Sequence, residues 1–190
     1  VGVGVGSLQA ITSGDNNAAF GYQALYSNTT GSGRVGIGYE PLYTATTEGS
    51  LTAIGYQAAK ANTTGTGTVA VGYQSLTNNT TGDNNTAVGW KALVSNSTGD
   101  YNTSLGYASL YSNTTGYGNT AIGHQTLYSN TTGYNNVGLG YKALYSNTTG
   151  TRNVSIGYET LYNNTTGAGN VAVGNQALKA NTSGIINSAV

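Results

Sequence analysis

The chain is predicted to be all-β: a parallel β-solenoid, or β-roll, of eleven 17-residue coils stacked in register. Three observations predict it. A glycine recurs at every seventeenth residue, from Gly4 and Gly21 through to Gly174, with no insertion or deletion. The text around it repeats as G-Y-Q-A-L-Y-S-N-T-T-G-x-x-N-[TV]-A-[IV]. Fixed-period self-similarity of this kind marks stacked units that rest on their neighbours. Finally, glycine, asparagine, threonine and β-branched residues dominate, and no apolar stripe runs at helical spacing. The array is one continuous domain over residues 1–190, and it reads as a segment of a longer fibre because it starts and stops within a repeat.

Counting from the recurring glycine as position 1, each part of the coil has its own expectation. A short strand is predicted from position 15 to position 3, as in Thr120-Ala121-Ile122-Gly123-His124-Gln125. Position 17 is always large and apolar, from Phe20, Ile37 and Ile54 to Val173 and Val190. It is therefore expected to face the core. Position 5 is Leu in ten copies and Ala59 in one. The N-T-T-G stretch reads as a turn, since Asn and Gly tolerate left-handed backbone and the hydroxyls bond locally. Position 11 is Gly except at Glu48, which Gly49 follows at once. Seventeen residues span about 50 Å when extended, enough for two or three short strands per coil. Coils stack at ~4.8 Å, giving a rod roughly 50 Å long.

Such a coil has a thin core. Alternation puts positions 15, 17 and 2 on one side of the strand and the small residues of positions 16 and 1 on the other. A strip of tiny residues lets another backbone approach closely. Packing between chains is the favoured reading of this strip, and filling by the same coil is the alternative.

Composition excludes several functions. Only 6% of residues are charged and the net charge is zero, so no basic patch exists for nucleic acid. The chain has no cysteine, which removes disulfides and thiolate metal sites. No apolar run is long enough to span a membrane, so no membrane contact is expected within this segment. No cofactor or metal is expected. Asp83 and Asp100 share position 12 on adjacent coils, but two carboxylates make a poor calcium site. Lys142 and Glu159 share position 3 and read as a surface ion pair. The sole histidine, His124, stands in a column otherwise filled mostly by tyrosine, so no catalytic residue is assigned and no enzyme is expected.

Two sets of residues are candidate sites. Position 2 carries Tyr22, Tyr39, Tyr56, Tyr73, Trp90, Tyr107, Tyr141 and Tyr158; position 6 carries Tyr26, Tyr43, Tyr111, Tyr128, Tyr145 and Tyr162. In-register stacking turns both into ladders, which either stiffen the rod or present a row of aromatics to sugars. Position 8 opens N-x-[ST] at Asn28, Asn62, Asn79, Asn96, Asn113, Asn130, Asn147, Asn164 and Asn181. Each is formally a glycan acceptor; the alternative is a turn residue or an amide ladder. The threonines at positions 9 and 10 carry hydroxyls for O-glycans or ladders, and their adjacency argues against a flat ice-binding face.

The stretches Asn119-Thr120-Ala121-Ile122-Gly123 and Asn85-Thr86-Ala87-Val88-Gly89 resemble the N-S-V-A-I-G text of head repeats in trimeric autotransporter adhesins. The N-T-A-I-G-Y-Q-A-L text is similar to repeats of bacterial and bacteriophage tail-fibre-like proteins. The resemblance implies a left-handed parallel β-roll, assembled as a homotrimer at a bacterial surface. The adhesin repeat is shorter; here an L-Y-S-N-T-T-G arm lengthens each coil. The expected function is a non-enzymatic extracellular structural fibre or adhesin stalk, located at a cell surface or on a virion. Its expected partners are copies of itself, as homotrimer or end-to-end filament, and cell-surface glycans. A polysaccharide-binding module and a bacteriophage tail-fibre shaft are the alternatives.

Overall fold

The computed structural model describes residues 1–46 and 49–190. Every coil contributes one short strand to a single parallel sheet. The strands are β1 (Gly2–Val3), β2 (Ala18–Phe20), β3 (Val35–Ile37), β4 (Leu51–Ile54), β5 (Thr68–Val71), β6 (Thr86–Val88), β7 (Thr103–Leu105), β8 (Thr120–Ile122), β9 (Val137–Leu139), β10 (Val154–Ile156), β11 (Val171–Val173) and β12 (Ser188–Ala189). They pair in sequence order throughout. The register is the repeat itself: Ala87 pairs with Ser104, and Ser104 with Ala121. The chain is thus a β-solenoid, and the eleven-coil expectation holds.

The strand is shorter than predicted and there is one per coil, not two or three. It ends at the recurring glycine, which adopts φ between 122° and 143°. That conformation is open to glycine alone at low cost. The same site is crowded: a Cβ on Gly38 would lie 2.5 Å from the carbonyl oxygen of Gly55 in the next coil. The 17-residue glycine column is therefore fixed twice, by backbone angle and by close stacking.

After this glycine the chain runs through a segment with left-handed φ at positions 3 and 5. Gln74 has φ 51° and Leu76 φ 52°, and the pattern recurs coil after coil. Left-handed leucine is strained. Two features offset the strain. The leucine side chains at position 5 are buried, including Leu25, Leu76, Leu110 and Leu144. The backbone is also bonded between coils: Leu76 N–H donates to Ala92 O at 3.0 Å, and Gln74 N–H to Tyr56 O at 2.8 Å. Alternating handedness keeps this wall from being a β-strand while leaving it hydrogen-bonded at every level.

The faces of the strand are the reverse of the expectation. Position 16 points inward: Ala19, Ala53, Ala87, Ser104, Ala121 and Ala172 are all fully buried. Position 17 points outward, with Phe20 41% exposed, Leu105 46% and Leu139 42%. The physical reason is the narrowness of the coil. Leucine from position 5 already fills the interior, so only a small residue fits opposite. A Cβ on Gly36 would sit 3.2 Å from Leu25 Cγ of the same coil. The strip of small residues is therefore interior, and the reading of it as a contact between chains is wrong.

Volumes compensate across this interior. Where position 4 is the bulkier Thr126, position 16 is Gly138, whose added Cβ would meet Thr126 Cγ2 at 2.6 Å. Where position 16 is Ser104, its hydroxyl lies 2.6 Å from the hydroxyl of Ser109 at position 4. Ser155 Oγ donates instead to the backbone carbonyl of Thr160, at 2.8 Å. Close packing makes each level sensitive to a single methyl group.

Candidate functional site

Two asparagine ladders run inside the rod. At position 8, Asn79 Nδ2 donates to Asn62 Oδ1 at 2.7 Å and to Gly82 O at 2.9 Å. At position 14, Asn102 Nδ2 donates to Asn85 Oδ1 at 3.2 Å and to Gly116 O at 2.9 Å, while its backbone N–H donates to the same Oδ1 at 2.9 Å. The two ladders share the carbonyl of position 11: Gly99 O accepts from both Asn96 and Asn85. This explains glycine at position 11, since a Cβ on Gly65 would stand 2.6 Å from Asn62 Oδ1. Asparagine at position 14 is a functional residue of the fold that the sequence reading passed over. Its signal was there, as a column beside a strand that is Asn in eight of eleven coils.

These ladders overturn the glycan-acceptor reading of position 8. Asn28, Asn62, Asn79, Asn96, Asn113, Asn130, Asn147 and Asn164 are fully buried. Asn181, in the last coil, is partly buried and still donates to Asn164 Oδ1 at 2.7 Å. A glycan on Nδ2 would displace bonds that close the interior, so the amide-ladder alternative is the one the structure adopts. The adjacent threonines divide. Position 9 hydroxyls donate to the next coil, as Thr80 Oγ1 does to Ser97 O at 3.0 Å. Position 10 side chains, such as Thr81, Thr98 and Thr115, are exposed.

On the surface, the position-2 rings form one continuous stack. Tyr22, Tyr39, Tyr56 and Tyr73 follow one another at 5.0–5.1 Å between centroids, with interplanar angles of 9–14°. Trp90, Tyr107, His124, Tyr141 and Tyr158 continue it, with spacings of 4.6–6.3 Å. His124 is one ring of this stack. The stacking corrects the reading of the column as a ligand-facing platform. A sugar stacks on a ring face, and here each inner face is covered by the ring of a neighbouring coil. What reaches solvent is the ring edge.

The position-6 rings stack in shorter runs, and each run carries the same cap. Tyr26 and Tyr43 stack at 5.0 Å, and Lys60 Nζ lies 5.7 Å over the Tyr43 ring. Tyr111 to Tyr162 stack at 5.0–5.2 Å, and Lys179 Nζ lies 5.7 Å over the Tyr162 ring. Each lysine also pairs with the Glu of the coil before it, Lys60 with Glu40 and Lys179 with Glu159, both at 2.6 Å. The Lys60 hydrogen bond holds the Glu40 carboxyl below its ordinary pKa, and the same bond raises Lys60. Burial against the ladder and the neighbouring Glu40 raise the Tyr39 phenol. The expected Lys142–Glu159 pair does not form. Lys142 Nζ lies 5.3 Å from both the Tyr141 and Tyr145 ring centroids.

The two aspartates serve the backbone. Asp83 Oδ1 accepts from Thr66 N–H at 2.7 Å, and Asp100 Oδ1 accepts from Asp83 N–H at 2.8 Å. Among the described residues no three His, Cys, Asp or Glu side chains gather in a metal-holding group, and no helix is long and apolar enough to cross a membrane. Glu48 lies outside the described residues.

The remaining surface feature is the outward face of the sheet. Positions 15 and 17 form two columns along it, flanked by the edges of the aromatic stack. Val137, Val171, Ile37, Leu105 and Leu139 are exposed there. No family model, curated protein or solved structure matches the chain.

Proposed function

We propose that this chain is a shaft segment of a non-enzymatic extracellular fibre or adhesin stalk, at a cell surface or on a virion, built to hold length and to associate with copies of itself. One observation carries the reading: among the described residues the coils repeat one scheme of internal bonding from end to end, varied chiefly at the level where buried Arg34 takes the place of the ladders. Hydrogen bonds, amide ladders and ring stacks all run between coils, so mechanical continuity is the property most thoroughly encoded. A bacteriophage tail-fibre shaft is the same proposal in another setting.

The partner in this reading is another copy of the chain, and the contact is the outward sheet face. That face replaces the interior strip as the association surface. It presents a continuous apolar column at position 17 beside a mixed column of Val, Thr, Ala and Ser at position 15, over a rod ~50 Å long. A run of exposed apolar side chains along one face, including Ile37, Leu105 and Leu139, is the kind of patch that marks an association surface. The homotrimer expected from the adhesin resemblance would close three such faces on one axis. The polysaccharide-binding alternative loses its main support, because the ring faces are covered.

Sedimentation velocity tests the proposal. The wild-type rod is expected to assemble. A Leu105→Asp/Leu139→Asp double variant is expected to remain a folded monomer, with an unchanged circular dichroism spectrum. A monomeric wild-type rod at micromolar concentration would remove self-association through this face.

A further inference from the structure

We propose that the position-2 aromatic stack is a relay for oxidising equivalents, taking a hole from a one-electron oxidant at an exposed ring edge and passing it from ring to ring along the rod. The oxidants in question are photoexcited sensitisers, peroxidase-type metal centres and oxygen-centred radicals. The inference rests on the fold alone and does not depend on the fibre reading.

The geometry meets the needs of such a relay. Between Tyr22 and Tyr107 the stack contains only tyrosine and tryptophan, the side chains most readily oxidised by one electron in a chain that has no cysteine and no methionine. The ring centroids over this stretch are 4.6–6.3 Å apart and the planes lie within 14° of parallel. The spacing is set by the bonded backbone, as in Gln74 N–H to Tyr56 O at 2.8 Å, so it does not depend on the rings finding one another. The rings are 39–44% exposed, which leaves their polar edges in reach of water.

Each step balances. The oxidant gains one electron, and the first phenol loses one electron and gives its proton to water, becoming a neutral phenoxyl. In the next step that phenoxyl regains an electron from the neighbouring ring and a proton from solvent. The neighbour loses one of each. Trp90 carries the hole as the neutral indolyl after its N–H proton leaves; the Lys91 ammonium, 4.7 Å over the ring, disfavours the cation form. The hole ends when a thiol or phenol in solution gives the last ring one electron and one proton, becoming a thiyl or phenoxyl radical itself. His124 resists one-electron oxidation more than its neighbours, so it divides the stack. The efficient segment is the lower one.

The test uses the absence of native cysteine. Val5 occupies position 2 of the first coil and is 76% exposed, one coil below Tyr22. A thiol-reactive ruthenium polypyridyl sensitiser is attached to the Val5→Cys rod and photo-oxidised by a cobalt(III) quencher. The resulting ruthenium(III) takes an electron from Tyr22. Trp90, the sole tryptophan, is read by transient absorption of its indolyl radical, five coils and ~24 Å away. The signal is expected in the labelled rod, with a rise independent of protein concentration. It is expected to be lost in Tyr56→Leu and sharply reduced in Tyr56→Phe, which keeps the ring packing. Tyr43→Leu, in the position-6 column, is expected to leave it unchanged. An absent signal in the labelled wild-type ladder, or equal signals in the Tyr56→Leu and Tyr43→Leu rods with melting curves confirming both folded, would overturn the relay.

Discussion

The coils above Asn62 and the junction between Arg34 and Leu51 solve the same problem differently. In the upper coils the position-8 ladder runs unbroken from Asn62 to Asn181, and the position-14 ladder from Asn85 to Asn187. At the junction both ladders are absent, since Ala45 stands at position 8 and Leu51 at position 14. Arg34 fills the gap from the coil below, almost completely buried. Its Nη1 donates to Asn28 Oδ1 at 2.8 Å and to Ala45 O at 2.9 Å, and its Nε donates to Gly49 O at 3.2 Å. The same level is the one where position 11 is Glu rather than Gly. The difference teaches that the two ladders can change separately, as where Thr68 stands at position 14 of the coil that carries Asn62, provided that another group takes over the bonds, as the Arg34 guanidinium does at the junction. A buried polar network is stable only when every member is satisfied.

The largest effect is expected from forcing one region's residue into the other. Gly99→Glu would place the junction's position-11 residue beneath an intact ladder, where a Cβ already meets Asn96 Oδ1 at 2.6 Å. Several coils should lose protection in hydrogen exchange, at a cost above about 4 kcal/mol. A variant that melts like the parent would show that the shared carbonyl is not a constraint.

Arg34→Met should cost about 3 kcal/mol in denaturant unfolding, because oxygens buried at the junction lose their donor. Restoring the ladder text, with Arg34→Asn, Ala45→Asn, Glu48→Gly and Leu51→Asn together, should recover the parent's stability to within ~1 kcal/mol. If the fourfold variant is no better than Arg34→Met, the junction depends on more than the ladder swap.

Neighbouring residues on one strand should respond oppositely. Ala121→Leu overfills the interior and should cost about 1–3 kcal/mol. Ile122→Asp lies on the outer face, where the side chain is half-buried, and should cost the isolated coil stack less than ~1 kcal/mol. Thermal melts of the two variants side by side measure this, and the opposite ranking would restore the inward reading of position 17.

The smallest effect belongs to the lysine caps. The Glu40 carboxyl is depressed by Lys60, so its contribution is present above the ordinary carboxylate range and fades as pH falls through the lowered value. Lys60 is raised, so its contribution holds below the ordinary lysine range and fades as pH rises through the raised value. Melting temperature should therefore be flat near neutrality and slope at both extremes. Glu40→Gln should flatten the acid slope that this pair contributes, and a slope identical to the parent's would show that the cap is not a source of it.

The sequence made much of this legible because a 17-residue column is a direct statement of register. The pairing of Ala87 with Ser104 and of Val88 with Leu105 could be written down from the period alone. So could the order of rings from Tyr22 to Tyr158. The inward direction of the strand could not. Alternation says that Ala121 and Ile122 face opposite ways, but not which way is in. Size suggested Ile122, and the narrow interior chose Ala121. The left-handed backbone at Leu76 and Gln74 left no trace either, since neither residue type favours it. The lysine caps were hidden because Lys60 and Glu40 look unrelated until adjacent coils are laid over one another.

What the sequence by itself determined is the period, the parallel register and the identity of every column, because an uninterrupted repeat can stack in only one register. What only the tertiary structure decided is which columns are inside. That choice depends on the width of the coil, and the width is set by where the backbone turns. Left-handed angles at positions 3 and 5 and the extended glycine at position 1 fold 17 residues into a section just wide enough for one leucine, one alanine and two asparagines. Once that width is fixed, the larger apolar column has no room within, and it becomes the outer face of the rod.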